Sequence, residues 1–263
     1  MQISLRVFND VRMIAFGQRF PFSATKEWTE TVKNDLKTKI NLEGNWIALG
    51  GNYALSAEHG KADKQIITHF INKIKAKVVF YDEDYVKKSI ENGVDTNKLD
   101  FIYTKSVLRG YVSDNAVQMC YWRKPHNPNE HKEIHEDKCG VLWYCPCIPN
   151  RGEDVLKTCK VIEDISAKYD LEPNYGFLCI SERALDVTGA ICYDRQEQGE
   201  DDRAMLCHDE IMNTLLNMGY APYRLGIQSM HYMQRTEPTS MEVLHKIKSI
   251  LDPNNILSVG RYL

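Results

Sequence analysis

Tyr223 and Arg224 are neighbours in the chain, a hydroxyl donor beside a permanent cation. Such a pair can hold an ionised oxygen, because positive charge and a hydrogen-bond donor both favour the charged form of an acid. The same two residues also suit a half-buried strand with the tyrosine inward and the arginine reaching water. A second group is His126, His131, His135 and Cys139. His131 and His135 can share a helix face, and zinc accepts such donors. Charged Lys132, Glu133, Glu136, Asp137 and Lys138 surround them, Pro125 and Pro128 argue for loop, and no second ligand pair is apparent. The stretch therefore reads as a solvated connection, and no metal is expected. The eight cysteines form the third group. Cys145 and Cys147 flank Pro146, and Cys120, Cys139, Cys159, Cys179, Cys192 and Cys207 are scattered singly. That is neither paired metal-ligand spacing nor a disulfide framework, so buried thiols are expected.

Bulk properties narrow the frame around these groups. A chain of 263 residues that is 43% hydrophobic can bury a real core. Lys and Arg total 33 against 36 Asp and Glu, a net charge of −3. No electrostatic footprint for a polyanion follows, and nucleic acid is not an expected partner. No run approaches the roughly 18 apolar residues of a membrane span, and the amino terminus lacks a basic segment followed by an apolar one. No membrane association is expected, and a cytoplasmic location is.

The elements that must position these residues read as α+β. Residues 2–8 alternate as a strand, 26–39 as a helix, 45–54 as a strand interrupted at Gly50-Gly51, 62–74 as a helix presenting Ile66, Phe70 and Ile74, and 77–81 as a short strand. The second half repeats the rhythm. A strand over 141–148 precedes a helix over 152–169 with Val155, Cys159, Ile162 and Ile165 on one side. Strands at 177–180 and 187–193 are expected to be antiparallel neighbours. A helix over 201–218 closes at Gly219, suited to the left-handed position after a helix end, and 220–227 reads as a strand. Two such β-α-β halves, about 1–125 and 139–235, predict one antiparallel sheet with packed helices in a ferredoxin-like arrangement. A helix and tail over 239–263 follow: Thr239 and Glu242 make a capping-box pattern, Val243, Ile247 and Ile250 share the docking face, and Pro253 stops the helix.

The tail after that helix runs Asp252-Pro253-Asn254-Asn255-Ile256-Leu257-Ser258-Val259-Gly260-Arg261, which resembles the terminal segment of FAD-linked oxidases. Gly219-Tyr220-Ala221-Pro222-Tyr223-Arg224 resembles the "GY-x-x-YR" segment of the vanillyl-alcohol oxidase and 4-cresol dehydrogenase branch. Cys139 to Pro146, with Pro149, Gly152, Glu153 and Asp154, is similar to the same branch's strand and helix start, and residues 177–195 to its next strand pair. The likeness is strong from Cys139 onward and looser before it. It implies that the 263 residues form one cap-like, substrate-side domain. The family's FAD domain has no counterpart in the sequence.

The family reaction, implied by the resemblance, removes hydride from the benzylic carbon of a para-substituted phenol. That requires the phenol, whose pKa is about 10, to be held as phenolate. Tyr223 and Arg224 are the expected catalytic pair. Trp143, Ser181 and Asp186 are expected to line the substrate pocket, and Gly260 and Arg261 to approach the cofactor. Successive strand residues point to opposite faces, so Tyr223 and Arg224 can share a ligand only where the strand ends or bulges. Some positions depart from the family pattern. Val141 stands where oxidase members carry a flavin-linking histidine, Leu185 and Asp186 where a histidine pair is common, and Val259 where proline is usual. Three readings stay open. The chain is the cap half of an FAD-dependent phenol oxidoreductase, with FAD supplied by a separate chain or a missing domain. Alternatively, it is a flavin-free enzyme using the phenolate pocket for isomerisation, hydration or elimination. In the third reading it is a non-catalytic binding protein with the cap fold. An aromatic small molecule, an FAD-domain chain and a second copy of the chain are the partners these readings allow.

Overall fold

A computed structural model describes residues 2–21, 28–95, 106, 109–125, 133–235 and 238–261. These fall into two compact units, residues 1–5 with 49–116, and residues 6–48 with 117–263.

The first unit is built on two helices. Helix α3 (Ala57–Lys73) starts where the Ser56 side chain accepts the His59 N–H at 3.2 Å, and α4 (Glu83–Glu91) where Asp82 accepts Tyr85 N–H at 2.8 Å. Each cap satisfies an otherwise unpaired donor of the first turn. Lys64 of α3 is ion-paired with Asp82, which ties the two helices together. Ile66, Phe70 and Ile74 of α3 are exposed. Residues 77–81, expected as a strand, are irregular and lead into α4, which the sequence reading missed.

The second unit carries the strands, except that β1 (Gln2–Asn9) and β2 (Trp46–Tyr53) each have residues in both units. A five-stranded sheet has the order β2-β1-β5-β6-β4, where β4 is Cys147–Pro149, β5 Gly176–Cys179 and β6 Ala184–Val187. Gly50 and Gly51 lie within β2, with no interruption of the strand. A separate two-stranded antiparallel sheet joins β3 (Cys139–Tyr144) to β7 (Gly189–Asp194). The single sheet expected from the sequence is therefore divided. The cause lies at two residues. Pro146 has no N–H to continue a ladder, so the run 141–148 breaks there into β3 and β4. Thr188 separates β6 from β7, its N–H turned to Gly176 O at 2.8 Å, and β5 pairs with β6, leaving β7 to β3. Val187 N–H donates to Pro146 O at 2.8 Å, so both segments change sheets side by side.

Helices α5 (Gly152–Lys168) and α6 (Glu200–Asn217) pack on one side. Their Ile162, Ile165, Cys207, Ile211 and Leu215 share a core with Leu142, Tyr144, Phe177, Leu185 and Val187. The other face of β7, through Ala190 and Cys192, packs with Ile14 of α1 (Asp10–Gly17), Met119 and Trp122. With both faces covered, β7 loses strand alternation and reads as an unbroken apolar run. Two cross-strand pairs fix the register: Gly140 faces Tyr193 and Gly189 faces Tyr144. A Cβ at Gly189 would lie 1.8 Å from the Tyr144 ring, so the tyrosine occupies the volume that glycine leaves.

Other expectations are corrected at element ends. Among the described residues, the helix expected over 26–39 spans Glu30–Lys39 (α2), with Thr29 accepting Val32 N–H. Gly219 has φ of 85° and ends α6 as expected. Residues 220–227 are not a strand: one bridge pairs Pro222 with Pro146, and a 3-10 helix (Ile227–Arg235) follows. The last helix, α7 (Pro238–Leu251), has proline in its first position, which places Thr239 inside the helix rather than at its cap. Only Met241 of α7 is buried, while Val243, Ile247 and Ile250, the expected docking face, are exposed.

Candidate functional site

Where the strands change sheets, three segments meet. Tyr223 N–H donates to Cys145 O at 3.1 Å, and Cys147 N–H to Ala221 O at 2.8 Å. Residues 220–224 are thus laced to the Cys145-Pro146-Cys147 crossing, which is itself bonded to Val187. The chain bends at Tyr223 and Arg224. The bend removes the alternation that would have sent the two side chains to opposite faces, and the Arg224 guanidinium lies 5.5 Å from the centre of the Tyr223 ring. Both residues are exposed, Tyr223 by 44%.

Asp186 of β6 is within electrostatic reach of this pair. It stands between Cys147 and Leu178 in the ladder and is 6% exposed. Its Oδ1 has no hydrogen-bond partner among the described residues. Burial raises its carboxyl above the ordinary value, opposed by a hydrogen bond from the Cys147 thiol. The Tyr223 hydroxyl is pushed up to about 12 by burial, the Cys145 thiol and Asp186, against the pull of Arg224. Tyr223 therefore remains a donor at any ordinary pH.

Trp143 of β3 is 39% exposed, opposite Ala190 in the ladder. Behind it the Arg12 guanidinium lies 5.4 Å from its ring centre and 5.8 Å from that of Phe8, and donates to Thr188 O. Arg12 is 3% exposed, its Nε has no partner among the described residues, and burial lowers its pKa. The sequence reading missed this residue, because an arginine two places into a short helix carries no sign of burial.

The remaining expected residues lie elsewhere. Ser181 is in the turn between β5 and β6, where its hydroxyl accepts the N–H groups of Arg183 and Ala184 at 3.2 and 3.1 Å. Gly260, with φ of 72°, and Arg261 lie on the exposed turn after α7. That turn is organised by Asp252, which accepts Ile256 N–H and Leu257 N–H at 2.9 Å each and Lys248 Nζ at 2.6 Å. His126 and His131 lie outside the described residues; His135 is exposed, and no metal-binding group of His, Cys, Asp or Glu occurs among the described residues. All eight cysteines are free thiols.

Three further arrangements were not anticipated. A cleft of about 460 Å³ is lined by Arg151, Asp154, Lys157 and Tyr220, but Asp154 is engaged by the Tyr220 hydroxyl at 2.5 Å and by Arg151 at 2.6 Å. Ser229, His208 and Asp209 form a hydrogen-bonded row, yet Ser229 is 1% exposed and offers no nucleophile to a substrate. Consecutive Trp122, Arg123 and Lys124 are tied into a buried network: Trp122 and Arg123 bind Glu172, and Lys124 binds Asp194 at 2.6 Å. These interactions hold the fold together and leave the sheet crossing as the candidate site, where Arg224 and the exposed Tyr223 ring lie near a buried carboxylate with one oxygen unpartnered among the described residues.

Residues 187–262 match the family model described as FAD linked oxidases, C-terminal domain. The chain is 27% identical over 269 residues to a 1'-carboxy-chondrochloren decarboxylase from Chondromyces crocatus, covering 98% of this chain and 50% of that protein. It is 30% identical over 123 residues to the 4-cresol dehydrogenase [hydroxylating] flavoprotein subunit of Pseudomonas putida, covering 46% of this chain and 23% of the relative. Among solved structures, p-cresol methylhydroxylase with substrate bound superposes with a TM-score of 0.77 at 20% identity, over 98% of this chain and 46% of that one. The 4-ethylphenol oxidase from Gulosibacter chungangensis, as its isoeugenol complex, gives 0.69 at 17%, over 97% and 46%. These structural likenesses speak for the fold. The chain spans half or less of the length of each of these proteins.

Proposed function

From a chain that carries the C-terminal, cap-containing segment of the FAD-linked oxidase family, we propose the substrate-binding half of a flavin-dependent oxidoreductase acting on a para-substituted phenol. The observation that carries the reading is the bend that sets Tyr223 and Arg224 together beside the buried carboxylate of Asp186. A relative named for 4-cresol supports the substrate class. Arg224 supplies positive charge and Tyr223 a hydroxyl donor to the phenol oxygen, which lowers its pKa toward neutrality. Trp143 offers an exposed ring against which the substrate ring can stack.

FAD, when bound, would accept hydride from the benzylic carbon. The described residues fit the rim of its site and not the whole. Arg261 is an exposed cation able to meet a phosphate, and Gly260 beside it has open space where a Cβ would stand. In this reading a separate chain or another segment supplies most of the cofactor's contacts. The exposed apolar residues Val243, Ile247, Ile250, Ile256 and Leu257 suit the surface that such a partner would cover.

A second reading is favoured by the relative aligned over 98% of the chain, whose name describes a decarboxylase. In that case the phenol carries a carboxylate, and carbon dioxide leaves in place of a simple hydroxylation. The phenolate site is common to both readings.

The test is a spectroscopic titration of 4-cresol against the purified chain. The expected result is a phenolate band at a pH well below that at which free 4-cresol ionises, lost in Arg224→Ala. Ionisation at the free-solution pH, or an undiminished band in Arg224→Ala, would count against the site. Release of carbon dioxide from a para-carboxylated phenol by the flavin-loaded assembly would select the second reading.

A further inference from the structure

Asp186 has the environment of a proton acceptor rather than that of a structural carboxylate. It is 6% exposed on β6, and its Oδ1 lacks a hydrogen-bond partner among the described residues. Leu178 flanks it on one side in the ladder and Cys147 on the other. The side chain acting on it is the Cys147 thiol from β4, which donates to the carboxylate; Asp186 in turn acts on Tyr223 of the laced segment, whose other neighbours are the Cys145 thiol and Arg224. A buried carboxylate oxygen left unsatisfied is costly, and a ligand hydroxyl at the Tyr223 and Arg224 end of the crossing would satisfy it.

We propose that Asp186 is the general base of the phenol site, taking the hydroxyl proton of a phenol held by Tyr223 and Arg224, with Cys147 as the positioning residue that orients the carboxylate. The proposal rests on the phenol-binding reading above. In the step, the phenol O–H bond breaks and an O–H bond forms on Asp186. The electron pair stays on the phenol oxygen against the Arg224 guanidinium. The total charge of the site is unchanged, since a carboxylate becomes neutral as the phenol becomes an anion. The transfer also removes the like-charge repulsion that an ionised Asp186 would exert on a phenolate. Tyr223 does not compete for the role, because its own proton is held too tightly. Cys147 likewise stays a thiol, since burial and the neighbouring Asp186 both raise its pKa. The proton returns when the product leaves as a phenol.

Protons released to the buffer per phenolate formed provide the readout. Calorimetric titration of the chain with 4-cresol, in buffers of different ionisation enthalpy at neutral pH, gives the protons, and the absorbance band gives the phenolate. The wild-type chain is expected to form phenolate with almost no proton release, because the proton stays on Asp186. Asp186→Asn is expected to release close to one proton for each phenolate formed, and Asp186→Glu to return to almost none. Full proton release by the wild-type chain overturns the assignment without any variant, and so does equal release by wild type and Asp186→Asn. A wild-type chain that forms no phenolate at all overturns the phenol site itself, a separate and visible outcome.

Discussion

The guanidinium of Arg12 lies 5.4 Å from the centre of the Trp143 ring, on the buried side of a tryptophan whose opposite side is open. Among the described residues no carboxylate pairs with Arg12; its partners are two aromatic rings and the Thr188 carbonyl. A buried cation without a counterion contributes mainly through packing and its one hydrogen bond. Arg12→Met, close in volume, is expected to change unfolding free energy by about 1 kcal/mol or less, whereas Arg12→Ala should cost about 2–4 kcal/mol. Urea unfolding of the two variants checks this, and Trp143 emission should shift in both.

The Arg123–Glu172 pair should behave in the opposite way. Glu172 accepts from Arg123 Nη2 at 2.6 Å and from the Trp122 indole at 2.8 Å, with both carboxylate and guanidinium buried. Removing Glu172 leaves the buried Arg123 with only the longer, 3.6 Å pairing to Glu200 and takes away the acceptor of the Trp122 indole. Glu172→Gln is therefore expected to lose about 3–5 kcal/mol in denaturant unfolding. An Arg123→Met, Glu172→Leu double variant should recover a large part of that loss.

Gly189→Ala tests the pairing of β3 with β7. The added methyl would fall 1.8 Å from the Tyr144 ring, and Tyr144 is 1% exposed with little room to turn. The expected cost is about 1–3 kcal/mol. Combining it with Tyr144→Val should relieve the clash, giving a measured coupling between the two positions.

Strong acid should loosen the turn after α7 through Asp252. Its pKa, ordinarily 3.8, is held down to about 2 by the Lys248 ammonium and the N–H groups of Ile256 and Leu257. Because the folded value is depressed, the stabilisation is complete above the ordinary value and is lost as pH falls through about 2. The amide resonances of Ile256 and Leu257 should titrate in that window, and Asp252→Asn should abolish the titration.

Much of this arrangement is legible in the residues, for identifiable reasons. Helices α5 and α6 announce themselves because Ile162, Ile165, Ile211 and Leu215 recur at helical spacing and the second ends on Gly219. Helix α1 is hidden by its eight-residue length, so that only the Asn9 cap marks it. The sheet division is hidden as well. Pro146 breaks a run that is apolar on both sides, and Thr188 gives no signal that β6 and β7 belong to different sheets. Residues 220–227 have the composition of a strand, yet Pro222 and the bonds from Tyr223 to Cys145 hold them as a bend. At the proposed site, Tyr223, Arg224, Trp143 and Asp186 come forward only through the family resemblance. The roles of Cys147 and Arg12 are not, because they depend on ladder register and on burial, which spacing does not encode.

The paired crossings at Pro146 and Thr188 carry a mechanical consequence. Trp143 rides on the small sheet and Asp186 on the large one, while the covalent passages between the two run next to each other and are stitched by a single amide contact. The spacing of indole and carboxylate is thus set by how the two sheets pack, and any rocking of one against the other would change the gap between them. An aromatic guest wedged across that gap would brace the joint, so occupancy should be felt as stiffness throughout this unit.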